Sequence, residues 1–511
     1  MNKQLVIPMS GVGKRFSDAG FKLPKPLIEV MGKPIIQHIL DMYPGWSEVL
    51  FIVNSDHFDN PDLQLEKILM NVAPNAKINV IEPHKKGPSH AVYESEKFLI
   101  NDGPIVINYC DFAGNFDLQE FEKKIFEFDS VLLTYTGFHP HMLRSSNFAY
   151  IKEIDGKIVG IKEKESYTDS PMTEQASAGT YSFRNKSVLI KSIENQIKNN
   201  YTLNNELYSS LTVKSLIEDG GNVASVLMSK FFQWGTPEDL SDFNYWMGAI
   251  DAINLENSVL GSDENHIVLL AGGKGTRTVP FTSQAKPLIS VLGSYLWEHS
   301  FKARNESSQN HLVVREELAK FFNEDLFQCI FKLKQDSRGQ ADSALIGMQG
   351  IKDELPVTIL SSDCILPSSF ANKVLKMVEI ENLDIAVWTN SKYPAALIEP
   401  NSFSWIISDQ DNAEVFVKTF PLIGSEKCHL ITGNFTFRSA SLARELIGNL
   451  MADTAKQVKA EFFLDSVLQI GIEKGLKVGK IDVPNFLSLG TVAELETFRY
   501  WSELKSGNTQ L

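Results

Sequence analysis

Basic charge, long apolar runs and paired cysteines are all scarce in this chain of 511 residues. Lys and Arg number 49 against 63 Asp and Glu, which gives a formal net charge of −14. A general nucleic-acid binder needs an excess of basic residues at its contact face, so that class is excluded, although a local basic pocket is not. No apolar run approaches the roughly 18 residues of a membrane span, and the N-terminus carries no signal-peptide core. We therefore expect a cytoplasmic protein with no nucleic-acid or membrane partner.

The four cysteines, Cys110, Cys329, Cys364 and Cys428, form no C-x-x-C pair and have no histidine close by in the sequence. This spacing indicates neither a zinc site nor a disulfide framework, so we expect reduced and mostly buried thiols. Hydrophobic residues make up 43% and charged residues 22%, the balance of a soluble globular protein. The length predicts two or three domains.

One pattern occurs twice along the chain. Residues 231–246 are matched by residues 486–501, with an offset of 255 (490 minus 235) at the shared Gly-Thr. Working backwards, the segment around Gly179 matches the segment around Gly433, and the order of the matching segments is preserved. Such a repeat predicts two copies of one domain in tandem.

The boundary between the copies follows from the repeat. Residues 237–253 are predicted to form a closing amphipathic helix, and the polar stretch after it is typical of a linker. We predict a first domain over residues 1–254, a linker over 255–265 and a second domain over 266–511, whose last residues form a frayed tail.

Short apolar runs alternate with helical stretches in both copies. Runs of strand length that are apolar throughout, bounded by turn residues and separated by helices, indicate a parallel sheet covered on both faces. The fold class is therefore α/β, with two tandem, doubly wound, mostly parallel-sheet nucleotide-binding domains whose sites lie at the carboxyl ends of the strands. The predicted strands are Leu5–Ile7, Val49–Val53, Ile78–Ile81, Ile105–Ile107, Val131–Leu133, Val357–Leu360 and Ile385–Trp388.

A glycine-rich loop follows the first strand of each copy. Glycines there let backbone N–H groups approach phosphate oxygens, although a plain tight turn would account for either loop alone. The spacing is not that of a P-loop. The predicted nucleotide-binding residues of these loops are Ser10, Gly11 and Gly13 in the first copy and Gly272, Gly273 and Gly275 in the second.

Two cations follow each loop in the same arrangement. Arg15 precedes Lys25 in the first copy, and Arg277 precedes Lys286 in the second, with each lysine followed by proline. Cations beside a phosphate-binding loop can neutralise the charge that develops when a triphosphate bond breaks. A surface charge would explain one lysine, but the doubled arrangement favours a catalytic role for all four.

A single aspartate follows a buried strand in each copy. Asp111 comes after Ile105–Cys110, and Asp363 comes after Val357–Ser362. A carboxylate at the carboxyl end of a strand is well placed to hold Mg²⁺ against phosphate oxygens, and a capping aspartate in a turn is the alternative.

With these residues in view, both halves resemble the sugar-phosphate nucleotidyltransferases, whose signature is Gly-x-Gly-x-Arg followed by Lys-Pro. The first loop resembles members found in surface-polysaccharide and capsule pathways, and the second resembles the hexose-1-phosphate type. The resemblance implies a glycosyltransferase-A-like variant of the Rossmann fold. It implies that Arg15 and Arg277 hold the pyrophosphate, that Lys25 and Lys286 lie at the α-phosphate, and that Mg²⁺ is the cofactor, held by the two aspartates.

The same resemblance implies further binding residues. Gly87 and Gly339 match the glycine that packs under the base. The residues implied on the acceptor side, in pairs from the two copies, are Lys164 and Lys418, Gly179 and Gly433, and Glu206 and Glu461. The two glutamates equally suit a role at the start of a helix.

Two departures from the family pattern stand out. Val417 precedes Lys418, where the family usually has a glutamate, such as Glu163 before Lys164. Gln233 and Ser488 occupy the position where many relatives have a second metal-binding aspartate. Neutral oxygens coordinate Mg²⁺ more weakly, so the metal geometry is the least certain part of the expected site.

We expect a bifunctional enzyme that transfers a nucleoside monophosphate from an NTP to a sugar or polyol phosphate, with release of pyrophosphate. By resemblance, a pyrimidine NTP is favoured and the product supplies surface polysaccharide; a homo-oligomer is compatible with the sequence. Three alternatives stay open. One copy could be non-catalytic, the chain could be a glycosyltransferase that uses a nucleotide sugar, or it could be a nucleotide sensor without chemistry.

Overall fold

A computed structural model describes residues 2–254, 265–273, 275, 282–409, 412–421 and 428–506. The chain divides into two compact units. The first unit extends to Asn244 and includes the last helical residues from Glu503, and the second unit comprises Tyr245–Ser502. The division falls within one helix, and most of the predicted linker lies outside the described residues.

The first unit is built on one sheet in the order β5-β4-β1-β6-β11-β8-β12-β7, with the hairpin β9-β10 attached through β9 to β11. Its strands are β1 (Gln4–Met9), β2 (Glu29–Val30), β3 (Lys33–Pro34), β4 (Glu48–Asn54), β5 (Lys77–Ile81), β6 (Ile105–Asn108), β7 (Phe112–Phe116), β8 (Ser130–Tyr135), β9 (Tyr150–Ile154), β10 (Lys157–Lys162), β11 (Ala176–Phe183) and β12 (Val223–Gln233). Its helices are α1 (Lys14–Asp18), α2 (Ile35–Asp41), α3 (Ser55–Phe58), α4 (Leu65–Val72), α5 (Pro88–Glu94), α6 (Leu118–Glu127), α7 (Lys186–Lys198), α8 (Ser209–Glu218) and the first part of α9 (Pro237–Asn254).

The second unit repeats this order as β17-β16-β13-β18-β23-β20-β24. Its strands are β13 (His266–Ala271), β14 (Ser290–Val291), β15 (Ser294–Tyr295), β16 (Gln309–Arg315), β17 (Cys329–Leu333), β18 (Val357–Ser361), β19 (Cys364–Ile365), β20 (Ile385–Asn390), β21 (Ser404–Asp409), β22 (Asn412–Phe416), β23 (Cys428–Phe437), β24 (Val478–Asp482) and β25 (Leu487–Ser488). Its helices are α10 (Leu296–Phe301), α11 (Gln340–Gly347), α12 (Phe370–Ile380), α13 (Ala440–Met451), α14 (Ser466–Glu473) and α15 (Val492–Ser506).

The predicted α/β class with two mostly parallel sheets is confirmed. In the first unit, β1 pairs in parallel with β4 and β6, and β8 pairs in parallel with β12. The corresponding strands of the second unit pair in the same way. Strands β1, β6 and β8 are buried along their whole length, as expected of apolar strands whose two faces are both covered. Each predicted strand lies within one of these elements.

A central strand of each sheet runs antiparallel to the two parallel strands on either side of it. β11 is antiparallel to both β6 and β8, and β23 is antiparallel to both β18 and β20. The register shifts where Gly179 and Gly433 lie, and both glycines have a positive φ, of 103° and 78°. A glycine in that region is the usual way to build a bulge that bends a strand toward a site.

Three local expectations need correction. Asp111 lies in the turn between β6 and β7 and not at the end of the strand itself, which closes at Asn108. Glu206 lies in a short bridge with Leu203, before α8 begins, so it has no place in the first turn of that helix. At the C-terminal end, we expected the frayed tail to begin at Lys505. Lys505 instead belongs to α15, because the closing helix continues to Ser506.

Candidate functional site

A partly buried lysine pairs with an aspartate at the same place in both units. Lys25 opens a 3-10 turn, and its Nζ donates to Oδ2 of Asp111 over 3.0 Å. Lys286 opens the equivalent turn and pairs with Oδ2 of Asp363. These residues follow β1 and β6, or β13 and β18, which are neighbouring parallel strands, so their loops meet at the carboxyl edge of the sheet.

The ion pair fixes the charge of Lys25. Burial lowers the pKa of this lysine, but the Asp111 carboxylate more than offsets the burial, and the resulting pKa lies above the usual value. Arg15 acts in the opposite direction on Lys25, which shows that its positive charge reaches the same space. Arg15 itself is exposed in α1, where a phosphate can reach it. Arg277, its predicted counterpart, lies outside the described residues.

Each copy has a left-handed glycine in its glycine-rich segment. Gly13 has a φ of 61° and is the N-cap of α1, and Gly275 has a φ of 63°. A Cβ on Gly275 would lie 2.8 Å from Cβ of Lys286, so Gly275 packs directly against that lysine. A Cβ on Gly13 would meet nothing within 4 Å, so its backbone faces open space. In the first unit Gly11 is exposed beside it, whereas Ser10 is buried and its carbonyl accepts from Asn54.

Gly87 and Gly339 each lie where two segments of the chain approach each other closely. Each glycine is the N-cap of a helix with a positive φ, 90° in Gly87 and 123° in Gly339. A Cβ on Gly87 would lie 2.6 Å from the backbone nitrogen of Leu207, and one on Gly339 would lie 2.6 Å from the carbonyl oxygen of Phe462. The predicted base-side glycine therefore packs against the segment of the predicted acceptor-side glutamate, Glu206 or Glu461.

The acceptor-side lysine of the first unit is held by an aromatic ring. Nζ of Lys164 donates to the Tyr208 hydroxyl over 3.0 Å and lies 4.8 Å from its ring centroid. Burial raises the pKa of the adjacent Glu163, while Ser210, which donates to its carboxylate, and the nearby Lys164 oppose the rise. Glu206 adds further negative charge next to Glu163.

The second unit builds the same region with different residues. Nζ of Lys418 donates to the carbonyl of Ser402 over 3.0 Å and lies 5.3 Å from the ring of Phe463. Asp465 is fully buried beside it and accepts from Ser404 over 2.5 Å. Burial raises the pKa of Asp465, and Lys418 opposes that rise.

The second unit therefore has an acid beside its lysine, although Val417 stands where the family usually has a glutamate. Asp465 takes the repeat position of Ser210, so the buried carboxylate next to the lysine has moved from the residue before the lysine to the start of α14. Sequence reasoning missed Asp465 and Tyr208; the repeat alignment could have pointed to both. The two lysines also share a strained backbone, with φ of 58° in Lys164 and 51° in Lys418.

A cavity of about 510 Å³ in the second unit brings most of the predicted residues together. Its walls come from the glycine loop, the lysine–aspartate pair, the base-side glycine and the acceptor side. The predicted residues that line it are Gly272, Gly273, Gly275, Lys286, Gly339, Asp363, Lys418 and Glu461. A volume of this size suits a small-molecule ligand.

The cysteines beside the two aspartates are inert. Burial raises the pKa of Cys110 to about 11 and that of Cys364 to about 12. Both thiols are free, and at neutral pH they stay protonated. The expectation of buried thiols holds for this pair.

Comparison with known proteins identifies one matching family and several relatives of this chain. The profile of the family described as Nucleotidyl transferase matches residues 5–252 and 266–396. The Bifunctional protein GlmU of Methanococcus maripaludis strain C7 is 27% identical over 216 residues, which cover 42% of this chain and 47% of that protein. UTP–glucose-1-phosphate uridylyltransferase 2 of Staphylococcus saprophyticus is 27% identical over 126 residues, which cover 20% of this chain and 43% of that protein. The chain spans about half the length of the curated relatives that it matches.

Solved structures match about half of the chain. The nucleoside-diphosphate-sugar pyrophosphorylase of Vibrio cholerae RC9 aligns with a TM-score of 0.39 and 21% identity, over 47% of this chain and 98% of that one. Among the described residues, no helix has the length and apolar character needed to cross a membrane. Since the family profile covers well over half of the sequence, and does so in two segments, the chain belongs to the nucleotidyl transferase family.

Proposed function

We propose that each unit transfers a nucleoside monophosphate from an NTP to a phosphorylated small molecule, with release of pyrophosphate. The observation that carries this proposal is the doubled constellation: a left-handed loop glycine, a partly buried lysine–aspartate pair and an acceptor-side lysine, in the same order in both units. We assign one reaction to each of the two domains that the sequence predicts, over residues 1–254 and 266–511.

The first step is binding of the triphosphate. Backbone N–H groups of the loops at Gly13 and Gly275 would donate hydrogen bonds to the phosphate oxygens, and Arg15 would neutralise the charge of the departing pyrophosphate. We assign Arg277 the same role in the second unit. Gly87 and Gly339 would bring the base close to the backbone, since neither has a side chain in the way.

The acceptor's phosphate oxygen then attacks the α-phosphorus in line with the leaving pyrophosphate. A phosphate dianion is already nucleophilic, so no general base is required. Lys25 and Lys286 would stabilise the charge on the α-phosphate, and Lys164 and Lys418 would hold the acceptor's phosphate. The electrostatic stabilisation acts in a partly buried site, where it is stronger than in water.

A divalent cation fits the residues present. The side chains of Asp111 and Asp363 are 24% and 29% exposed, so hard carboxylate oxygens lie at the open side of each ion pair. These two residues would hold Mg²⁺, which when bound supplies positive charge to the phosphate oxygens.

The relatives indicate the class of substrate. The name of the Staphylococcus relative specifies UTP and glucose 1-phosphate, which favours a pyrimidine NTP and a sugar or polyol phosphate here. Since NTPs are cytoplasmic substrates, we place the activity in the cytoplasm. A role in surface-polysaccharide supply remains part of the proposal.

A pyrophosphate-release screen tests the proposal. Each NTP is offered with a panel of phosphomonoesters to the wild-type protein and to Asp111→Asn and Asp363→Asn variants. We expect at least one pair of substrates to release pyrophosphate, and each variant to lose only the turnover of its own unit. If the wild type releases none with any pair, the proposal fails. If one variant alone abolishes all turnover, the second site is not independent and one copy is non-catalytic.

A further inference from the structure

A second carboxylate lies at the lysine–aspartate pair of the second unit. Glu494 is the third residue of α15 and is only 5% exposed. A Cβ on Gly490 would lie 3.3 Å from Nζ of Lys286, 3.5 Å from Oδ2 of Asp363 and 3.5 Å from Oε2 of Glu494. The three charged groups therefore surround one point next to Gly490.

Four neighbours fix the position of the Glu494 carboxylate. The backbone N–H of Gly490 donates to Oε2 over 2.9 Å, and the Thr491 hydroxyl donates to the same oxygen over 3.1 Å. The Tyr393 hydroxyl donates to Oε1 over 3.4 Å, and Ser488 lies close enough to lower the pKa of the Glu494 carboxyl, which burial raises. Ser488 holds the position where many relatives have an aspartate. An acid therefore still lies beside this position, although it comes from the helix.

The first unit has a neutral group at the equivalent point. A Cβ on Gly235 would lie against Nε2 of Gln233 and 3.5 Å from Oδ2 of Asp111. Asp239, which the repeat pairs with Glu494, is one methylene shorter. It accepts from the backbone N–H of Thr236 over 3.0 Å, and the charges that act on it belong to Asp242 and Arg144.

Helix capping accounts for only part of this arrangement. An acid at the third helical position that reaches back to a free N–H is a common capping device, and Asp239 does this as well. The extra length of Glu494 adds something else, since its carboxylate reaches the charges of Lys286 and Asp363. The Lys286 ammonium group therefore lies near two carboxyl groups, whereas the Lys25 ammonium group is paired with one.

We propose that Glu494 supplies the second carboxylate of the divalent-metal site in the second unit, opposite Asp363, while the first unit offers the Gln233 amide there. The assignment rests on the proposed function only in that it takes a divalent cation as the ligand. A hard cation prefers charged oxygen donors, so the second unit binds the metal more tightly than the first. The two copies consequently differ in the metal concentration that each requires.

Titration with Mn²⁺ alone, followed by the electron paramagnetic resonance signal of free Mn²⁺, tests the assignment. We expect the wild type to show a tighter and a weaker binding class. Glu494→Gln, which keeps the side-chain length, is expected to weaken the tighter class by about tenfold or more, in the range seen when a metal-site carboxylate is altered. Glu494→Asp, which keeps the charge and the cap but withdraws the carboxylate by one methylene, is expected to weaken it as well. Asp239→Asn is the matched control and is expected to leave both classes unchanged.

Two outcomes would overturn the assignment. Either Glu494→Gln binds Mn²⁺ as the wild type does, with at most a lower melting temperature, which leaves capping as its whole role; or Asp239→Asn weakens the tighter class equally. Circular dichroism of each variant confirms that it is folded, and Glu494→Asp serves if the glutamine variant is not. Because no nucleotide is present, a wild-type protein that releases no pyrophosphate would refute the transfer reaction and not this metal site.

Discussion

The Cα of Gly87 is so close to Leu207 that a Cβ on it would lie 2.6 Å from the Leu207 backbone nitrogen. The same segments are tied by two hydrogen bonds, from Leu207 to the carbonyl of Lys86 and from Ser89 to the carbonyl of Leu207. The nucleotide side and the acceptor side of the first unit therefore share a wall in which only glycine fits.

Replacement of Gly87 by alanine is expected to destabilise the protein by about 2–4 kcal/mol, from overpacking and from the left-handed backbone together. Chemical denaturation measures the loss. Gly220→Ala is the matched control, because Gly220 has a φ of 85° but open space around its Cβ position. It should cost about 1 kcal/mol. Equal losses in both variants would show that backbone strain alone matters at Gly87.

Removal of the lysine charge from one ion pair is expected to lower the transfer activity of that unit alone. Lys25→Met and Lys286→Met should each lower kcat of the affected unit by about 100- to 1000-fold, since stabilisation of the transition-state charge is lost. Pyrophosphate release reports the rates. Lys33→Met is the control, because Lys33 forms a 3.0 Å pair with Asp41 on the surface. A normal rate in the Lys25 variant would remove this lysine from the mechanism.

The Tyr208 hydroxyl is expected to matter for acceptor binding in the first unit. Tyr208→Phe removes the bond that holds Lys164 but keeps the ring beneath its ammonium group. We expect KM for the acceptor to rise by about three- to tenfold with little change in kcat, the value of one hydrogen bond. Tyr201→Phe is the control, because Lys214 lies 4.5 Å from the centroid of that half-buried ring, away from the acceptor-side lysine. An unchanged KM in Tyr208→Phe would contradict the role.

Acid is expected to destabilise the first unit through His139. Burial lowers the pKa of His139 from 6.5 to about 4. The native state therefore binds fewer protons than the unfolded state between these values, and stability present above pH 6.5 is lost as the pH falls toward 4. The loss from this group reaches up to about 3 kcal/mol.

Denaturation at pH 8, 7, 6 and 5 measures this effect. His139→Gln should flatten the curve below pH 6.5, and no change from this group is expected between pH 7 and 8. His141, whose pKa burial also lowers, adds to the slope in both proteins. A variant whose slope equals that of the wild type would contradict the assignment.

Much of the fold could be predicted from the sequence because the strands are apolar on both faces. Runs such as Val49–Val53 cannot be exposed on either side, so they mark buried strands without reference to the rest of the chain. The direction of β11 could not be predicted, because strand direction depends on tertiary pairing and leaves no local signal. Gly179 drew attention as a site residue, but the bulge around it became visible only in the sheet.

Some residues of the candidate site could likewise be predicted from the sequence, and others could not. Lys25 and Asp111 could be brought together in advance, because loops after neighbouring parallel strands meet at one edge. Glu494 could not, since it acts from a helix start where an acid is ordinarily a cap, and Asp465 could be found only by aligning the two copies. Their importance depends on side-chain length and on a neighbour distant in sequence, neither of which a motif records.

The transfer of a buried acid between Glu163 in one unit and Asp465 in the other constrains how the copies diverged. The exchange needs two substitutions, and each order passes through an ancestor with either two acids beside one lysine or none. Either intermediate changes the charge beside the lysine by one unit, although Tyr208 or the Ser402 carbonyl still accepts a hydrogen bond from the lysine. Such an ancestor is tolerated where an intact duplicate carries on the work. Because the chain carries two copies, one pocket can change from one arrangement of its acid to the other while the second copy keeps its function. A protein with a single domain would lose activity during the same change.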